Sequence, residues 1–184
     1  MPRCIAFLRA VNVGGRFIKM AQLRAEFEAL GLADVQTFIA SGNVIFGTGA
    51  RDMAALARRI EAHLHAAFGF EVHTFLRTPA EVAAIARCTP FDAATVAACK
   101  TFVVGFVAAP LGREALARIG RFESDADHFH AQGRELYWAS RHAQPESPFS
   151  NAAFEKALGV RTTFRAMTTL QRLASAHAGA AADG

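Results

Sequence analysis

Short apolar runs and helical periodicities follow one another in a regular order along the first half of the chain. Residues 4–11 form an apolar run bounded by turn residues, which predicts a buried strand. Four hydrophobic residues then recur at helical spacing, namely Met20, Leu23, Phe27 and Leu30. Further strands are predicted at 35–40, 44–46 and 70–76, with a second amphipathic helix at 52–68. The predicted order is β-α-β-β-α-β.

The second half repeats this order without visible sequence identity between the halves. Residues 100–107 have the strongest β pattern in the chain, and a helix at 111–119 follows it. The hairpin strands are predicted at 127–131 and 134–139, and a helix, a strand and a last helix at 151–158, 160–165 and 168–176. Between the halves, Thr78, Pro79 and Glu81 form a helix-start signature.

The pattern therefore predicts an α+β fold made of two ferredoxin-like β-α-β-β-α-β repeats with antiparallel sheets, packed into one compact unit. The predicted boundaries are 1–77 for the first repeat and 78–98 for a connecting helix and loop. The second repeat spans 99–166, and a C-terminal helix with a frayed tail spans 167–184.

This topology predicts where a binding site would lie. The loop after the first strand and the turn between the second and third strands should meet at one end of the sheet, beside the start of the first helix. Glycines allow close approach of a ligand, and free N–H groups at a helix start favour an anion. The predicted ligand-binding residues are Arg9, Asn12, Gly14, Gly15, Arg16, Ser41, Gly42 and Asn43, with Lys19 as a secondary candidate. The alternative is that these residues only shape tight turns.

The net charge of +4 suggests a polyanionic partner, although arginines alternate with acidic residues along the predicted helices. A nucleic-acid-binding module is the second hypothesis, because ferredoxin-like sheets can present aromatic side chains to bases. The candidate aromatic residues are Phe102, Phe106, Phe129, Tyr137 and Trp138. The third alternative is a protein-interaction or self-association module that pairs through an exposed sheet edge, and the oligomeric state stays open.

Other classes of function have weaker signals. Cys4, Cys88 and Cys99 are odd in number and have no C-x-x-C spacing, which favours reduced thiols in a cytoplasmic protein. His128 and His130 share a strand face, but no third metal ligand is fixed near them, so no metal is expected. No membrane span, cofactor motif or acid–base or nucleophile set is visible, so an enzyme is not favoured.

Several segments together resemble the bacterial family named domain of unknown function 1697 (DUF1697). They are residues 7–15, 19–20, 35–46, 77–78, 90–91, 136–137 and 154–159, together with Leu23. The resemblance implies two ferredoxin-like repeats and no established activity.

The family usually has a Thr-x-Arg-Asn-Trp-Asn-Thr-like segment before its last helix. This chain keeps Thr163, Arg165 and Thr169 but has Ala-Met-Thr at 166–168. If the replaced portion serves a ligand, the function of this member is lost or changed. If it only packs, Met167 is a serviceable replacement for Trp. Arg165, Thr169 and Tyr137 are accordingly secondary site candidates.

Overall fold

The computed structural model describes residues 1–9, 11, 15, 17–39, 42–146 and 149–177. In this part the chain is an α+β protein with two four-stranded antiparallel sheets and seven α-helices. The elements of the first half are β1 (Arg3–Leu8), α1 (Met20–Ala29), β2 (Ala33–Phe38), β3 (Asn43–Gly47), α2 (Met53–Phe68), β4 (Thr74–Arg77) and α3 (Pro79–Arg87). Those of the second half are α4 (Ala93–Ala98), β5 (Thr101–Phe106), α5 (Arg113–Ile119), β6 (Asp127–Gln132), β7 (Glu135–Ser140), α6 (Asn151–Leu158), β8 (Thr163–Ala166) and α7 (Met167–His177).

The chain divides into two compact units, which are Met1–Ala83 with Leu173–Gly184, and Ala84–Arg172. The division falls inside α3 and α7, whereas the boundaries drawn from the sequence lie at 77/78, 98/99 and 166/167. Among the described residues, no helix is long and apolar enough to cross a membrane.

Unit 1 contains a sheet with the strand order β2-β3-β1-β4. One face of this sheet packs against α1 and α2, because both helices place large apolar residues at helical spacing. The cluster includes Ala6, Leu8, Phe27, Val44, Phe46, Leu56 and Ile60, all buried. The Asp52 carboxylate accepts a 2.9 Å hydrogen bond from the Ala55 amide at the start of α2. Gly69 ends this helix in the left-handed conformation, with φ of 77°.

Unit 2 contains a second sheet, with the strand order β6-β7-β5-β8. Its core is aromatic: the Phe129 ring stacks on Trp138 at 5.9 Å and on Phe154 at 5.6 Å. The Trp138 Nε1 donates a 2.9 Å hydrogen bond to Oδ1 of Asp127, so the indole is buried without losing its polar partner.

The two sheets share a further feature on the face that does not meet these clusters. In unit 1, Arg77 on β4 lies opposite Ile5 of β1, and in unit 2, Arg165 on β8 lies opposite Val104 of β5. Both arginines are buried, with exposures of 1% and 8%. Each sheet thus carries a buried guanidinium on its edge strand, at a matching position beside its first strand.

The connecting segment contains one predicted helix and one that the sequence pattern missed. The Thr78 hydroxyl accepts from the Glu81 amide at 3.1 Å, and the Glu81 carboxylate accepts from the Thr78 amide at 2.7 Å. This reciprocal pair is the capping box that the sequence predicted for α3. The segment 78–98 was expected to contain one helix and a loop. Residues 89–92 lie outside the helices, but the Asp92 carboxylate accepts from the Thr95 amide at 2.7 Å and caps a second helix, α4.

Candidate functional site

The end of β1 and the β2–β3 turn lie side by side in unit 1. The Leu8 amide donates a 2.8 Å hydrogen bond to the Gly42 carbonyl oxygen. Gly42 has φ of 70°, and a Cβ placed on it would lie 3.1 Å from the Val11 Cβ and 3.2 Å from the Leu8 Cβ. Glycine is therefore required here both by the backbone conformation and by the close approach of β1.

Asn43 lies at the start of β3, directly after the β2–β3 turn. Its side chain is buried, and its Nδ2 donates a 3.0 Å hydrogen bond to the Phe38 carbonyl oxygen across the hairpin. Its backbone pairs with both Phe7 and Phe38 in the sheet. This hydrogen bond ties the two strands together beside Gly42, and the assignment of Asn43 to the ligand site stays a prediction.

The start of α1 supplies positive potential at the same end of the sheet. Lys19 is the residue before the helix, its side chain is exposed, and it makes no capping hydrogen bond to the helix amides. The first turn of α1 contains no acidic residue. The first amides of a helix lack partners within the helix and carry partial positive charge, so they favour an anion.

Arg9 and Gly15 complete the described part of the predicted site. The Arg9 amide donates a 2.8 Å hydrogen bond to the His73 carbonyl oxygen, which anchors the chain where it leaves β1. Its side chain is half-buried. Gly15 is exposed in the left-handed conformation, with φ of 80°. The remaining predicted residues, Asn12, Gly14, Arg16 and Ser41, lie outside the described residues.

The secondary candidates other than Lys19 belong to unit 2. Burial, with a smaller contribution from a hydrogen bond to Cys88, raises the pKa of the Tyr137 hydroxyl. Arg165 donates to the Thr163 hydroxyl at 2.8 Å and to the Phe164 carbonyl oxygen at 2.9 Å. Burial lowers the pKa of Arg165 to about 10. Thr169 lies half-buried in the first turn of α7.

The aromatic residues considered for base stacking are mostly inside unit 2. Phe106, Phe129, Tyr137 and Trp138 are at most 8% exposed, and only Phe102 is half-buried. A base cannot stack on rings that the protein already covers. As for metals, the described residues contain no group of three or more His, Cys, Asp or Glu side chains placed to hold an ion.

Unit 2 contains a cavity that sequence reasoning did not find. Its volume is about 600 Å³, and its walls come from the end of α3, the α4 region, the start of β5 and the start of α7. The lining includes Lys100, Phe102, Ala166 and Met167. These segments are up to about 80 residues apart in the chain, and no motif connects them. Of these segments, the sequence analysis had singled out only residues 166–168.

Comparisons with known proteins agree with the fold and name no activity. The family model described as "Protein of unknown function (DUF1697)" matches residues 1–137. A solved structure titled "The structure of conserved bacterial protein SP0830 from Streptococcus pneumoniae" is 22% identical, with a TM-score of 0.71. The match covers 96% of this chain and 98% of that one, and at this identity it shows the fold alone. None of the curated proteins matches this chain.

Proposed function

This chain belongs to the DUF1697 family, whose function is unknown, and we propose that it is a binding protein for a small anionic or nucleotide-like ligand. The proposed site is the anion end of unit 1, defined by Arg9, Gly15, Lys19 and Gly42. Backbone amides would hold the charged group, and the two cationic side chains would neutralise it.

The observation that carries this proposal is the hydrogen bond from the Leu8 amide to the Gly42 carbonyl oxygen. It joins two segments that are more than thirty residues apart in sequence and places a glycine turn beside the end of β1. The start of α1, which has no side-chain cap, follows the same loop, and Lys19 is the residue directly before this helix. The amides of the first turn of α1 and the Lys19 side chain supply hydrogen-bond donors and positive charge at this end, and that turn contains no acidic residue.

We further propose that the fold arose as two ferredoxin-like repeats. The order β-α-β-β-α-β occurs in both halves, and both sheets place their strands in the sequence second-third-first-fourth. The buried Arg77 and Arg165 at matching positions support this relationship. The three cysteines are free, which supports the proposal of a reducing cytoplasmic location.

Titration with inorganic phosphate and with AMP, followed by amide NMR and calorimetry, tests the proposed site. We expect shifts at the amides of Leu8, Gly15 and Gly42. Arg9→Ala and Lys19→Ala should each weaken binding by about tenfold, since each removes one charged partner of the anion. Arg24→Ala is the matched control, because Arg24 is an exposed cation on the same helix that pairs with Glu28 at 2.7 Å.

Two outcomes would reject the proposal. One is the absence of any shift at millimolar phosphate or AMP. The other is binding that weakens equally in Arg24→Ala, which would indicate a non-specific response to net charge. Loss of stability in Arg9→Ala without a change in the affinity of the remaining folded protein would make Arg9 a structural residue.

A further inference from the structure

The cavity in unit 2 has the size and lining of a small-molecule site. Its volume of about 600 Å³ lies within the range of about 300–1,000 Å³ that ligand pockets occupy. Apolar side chains dominate the lining, among them Val96, Phe102 and Met167. Val96 is 37% exposed. Phe102 is half-buried, and its ring packs edge to face with the Phe91 ring at a centroid distance of 5.8 Å. A ligand with an apolar body would cover these surfaces and remove them from water.

The charge of the lining specifies the polar end of that ligand. Among the described residues that line the cavity, Lys100 is the only charged one. Its backbone amide donates a 2.8 Å hydrogen bond to the Ser140 carbonyl oxygen, which fixes the residue beside the sheet, while its side chain is exposed. None of the described carboxylates pairs with its ammonium group. An anionic group at this position would therefore gain a partner without displacing one.

The start of α7 adds positive potential on another wall. This helix begins at Met167, directly after β8, and Met167 and Thr168 both line the cavity. Its first turn contains no acidic residue, so the partial positive charge of the helix start is not neutralised there. The cavity thus combines an apolar interior with positive charge from two separate elements.

Two thiols also line the cavity, but they do not indicate covalent chemistry. The Cys99 Sγ donates a 3.0 Å hydrogen bond to the Val96 carbonyl oxygen, and the Cys88 Sγ donates to Oε1 of Gln132 at 3.4 Å. Burial raises the pKa of Cys99, which keeps its thiol protonated. Neither group is arranged as a nucleophile, so the cavity suits reversible binding.

We propose that this cavity binds a small amphipathic carboxylate, with an aliphatic or aromatic body against Phe102 and Met167 and its carboxylate at Lys100. This site is separate from the anion end of unit 1, and it differs from it in requiring an apolar body. Inorganic phosphate should therefore not occupy it, while octanoate should.

Calorimetric titration with octanoate, paired with 1-octanol, tests the proposal. We expect octanoate to bind more tightly than octanol, with amide NMR shifts at residues 100–103 and 166–168. Lys100→Gln should weaken octanoate by about tenfold and leave octanol unchanged, because only the carboxylate uses the ammonium group. Lys156→Gln, an exposed lysine of the same unit outside the cavity lining, should change neither affinity.

Ala166→Phe provides an independent steric test. Ala166 is exposed and lines the cavity, so a ring at this position can enter the cavity without displacing core residues. It should abolish binding of both probes while the unfolding midpoint stays close to that of the parent. Equal octanoate affinities for the parent and Lys100→Gln, or unchanged binding to Ala166→Phe, would overturn the proposal. Arg9→Ala should leave octanoate binding unchanged, because Arg9 does not line the cavity. The tests of the two proposed sites are therefore independent of each other.

Discussion

The Trp138 indole and the Asp127 carboxylate form a buried hydrogen bond of 2.9 Å that joins neighbouring strands of unit 2. The other carboxylate oxygen of Asp127 accepts from the Ser124 hydroxyl at 3.2 Å, and the Asp127 amide donates to that hydroxyl at 3.0 Å. One acidic side chain therefore satisfies the indole N–H and fixes the turn before β6.

Removing this carboxylate should destabilise unit 2. Asp127→Ala leaves the buried indole N–H of Trp138 without an acceptor, at an expected cost of about 1–3 kcal/mol in the free energy of unfolding. Urea denaturation followed by tryptophan fluorescence measures it, since Trp138 is the chain's single tryptophan. Asp127→Asn keeps an acceptor oxygen and should recover most of the loss. Equal destabilisation by Asn and Ala would show that charge matters more than the hydrogen bond.

The glycine of the β2–β3 turn gives a second prediction. Gly42→Ala combines a left-handed backbone with a Cβ 3.1 Å from the Val11 Cβ. It should therefore lower the free energy of unfolding by about 2–3 kcal/mol, the upper part of the range for a strained residue. Gly31→Ala is the matched control, because Gly31 has φ of 75° but no atom within 4 Å of its Cβ position. Chemical denaturation compares the two. Equal losses would mean that the contact with β1 contributes nothing.

The capping box of α3 gives a third prediction. Thr78→Ala removes the hydroxyl that accepts from the Glu81 amide, and it should lower the free energy of unfolding by about 1 kcal/mol. Thr78→Ser keeps the hydroxyl and should stay near the parent in a urea titration. If serine and alanine give the same midpoint, the methyl group of Thr78 rather than the cap provides the stability.

The buried thiol of Cys4 predicts a pH dependence of stability. Burial raises its pKa from 9.0 to about 11. The folded state holds this proton more tightly than the unfolded state. The contribution of the protonated thiol to the free energy of unfolding is therefore complete below pH 9 and is lost as the pH rises from 9 to 11. The advantage of the parent over Cys4→Ala should therefore shrink by about 2–3 kcal/mol across this interval. Paired denaturation curves at pH 8.5 and 11 measure it, and a constant difference would contradict the assignment.

Local signals in the sequence predicted much of the fold. Gly159 marks the end of the helix predicted at 151–158, and the structure has α6 at Asn151–Leu158 with Gly159 in the left-handed conformation. Gly69 and Gly133 likewise mark the end of α2 and the turn between β6 and β7. In each case a single residue type is required by a cap or a positive φ, so the sequence carries the information locally.

Other features depend on tertiary contacts that no local pattern contains. The alanine-rich α4 has no apolar stripe, and none of its residues is buried, so only the Asp92 cap indicated it. The inward direction of the Asn43 amide follows from the position of Phe38, which its own neighbours do not specify. The cavity at Lys100 is formed by segments of unit 2 that are far apart in the chain, and no local pattern specifies how such segments pack against one another.

The division of α7 between the two units has a consequence for how the chain can be made. Most of unit 1 is Met1–Ala83, but the unit also includes Leu173, which is completely buried. Because a chain is synthesised from its N-terminus, residues 1–83 leave the ribosome before the residues of α7 that complete unit 1. A fragment that ends before Leu173 would lack a side chain that is fully buried in the folded protein, so unit 1 needs residues from both ends of the chain.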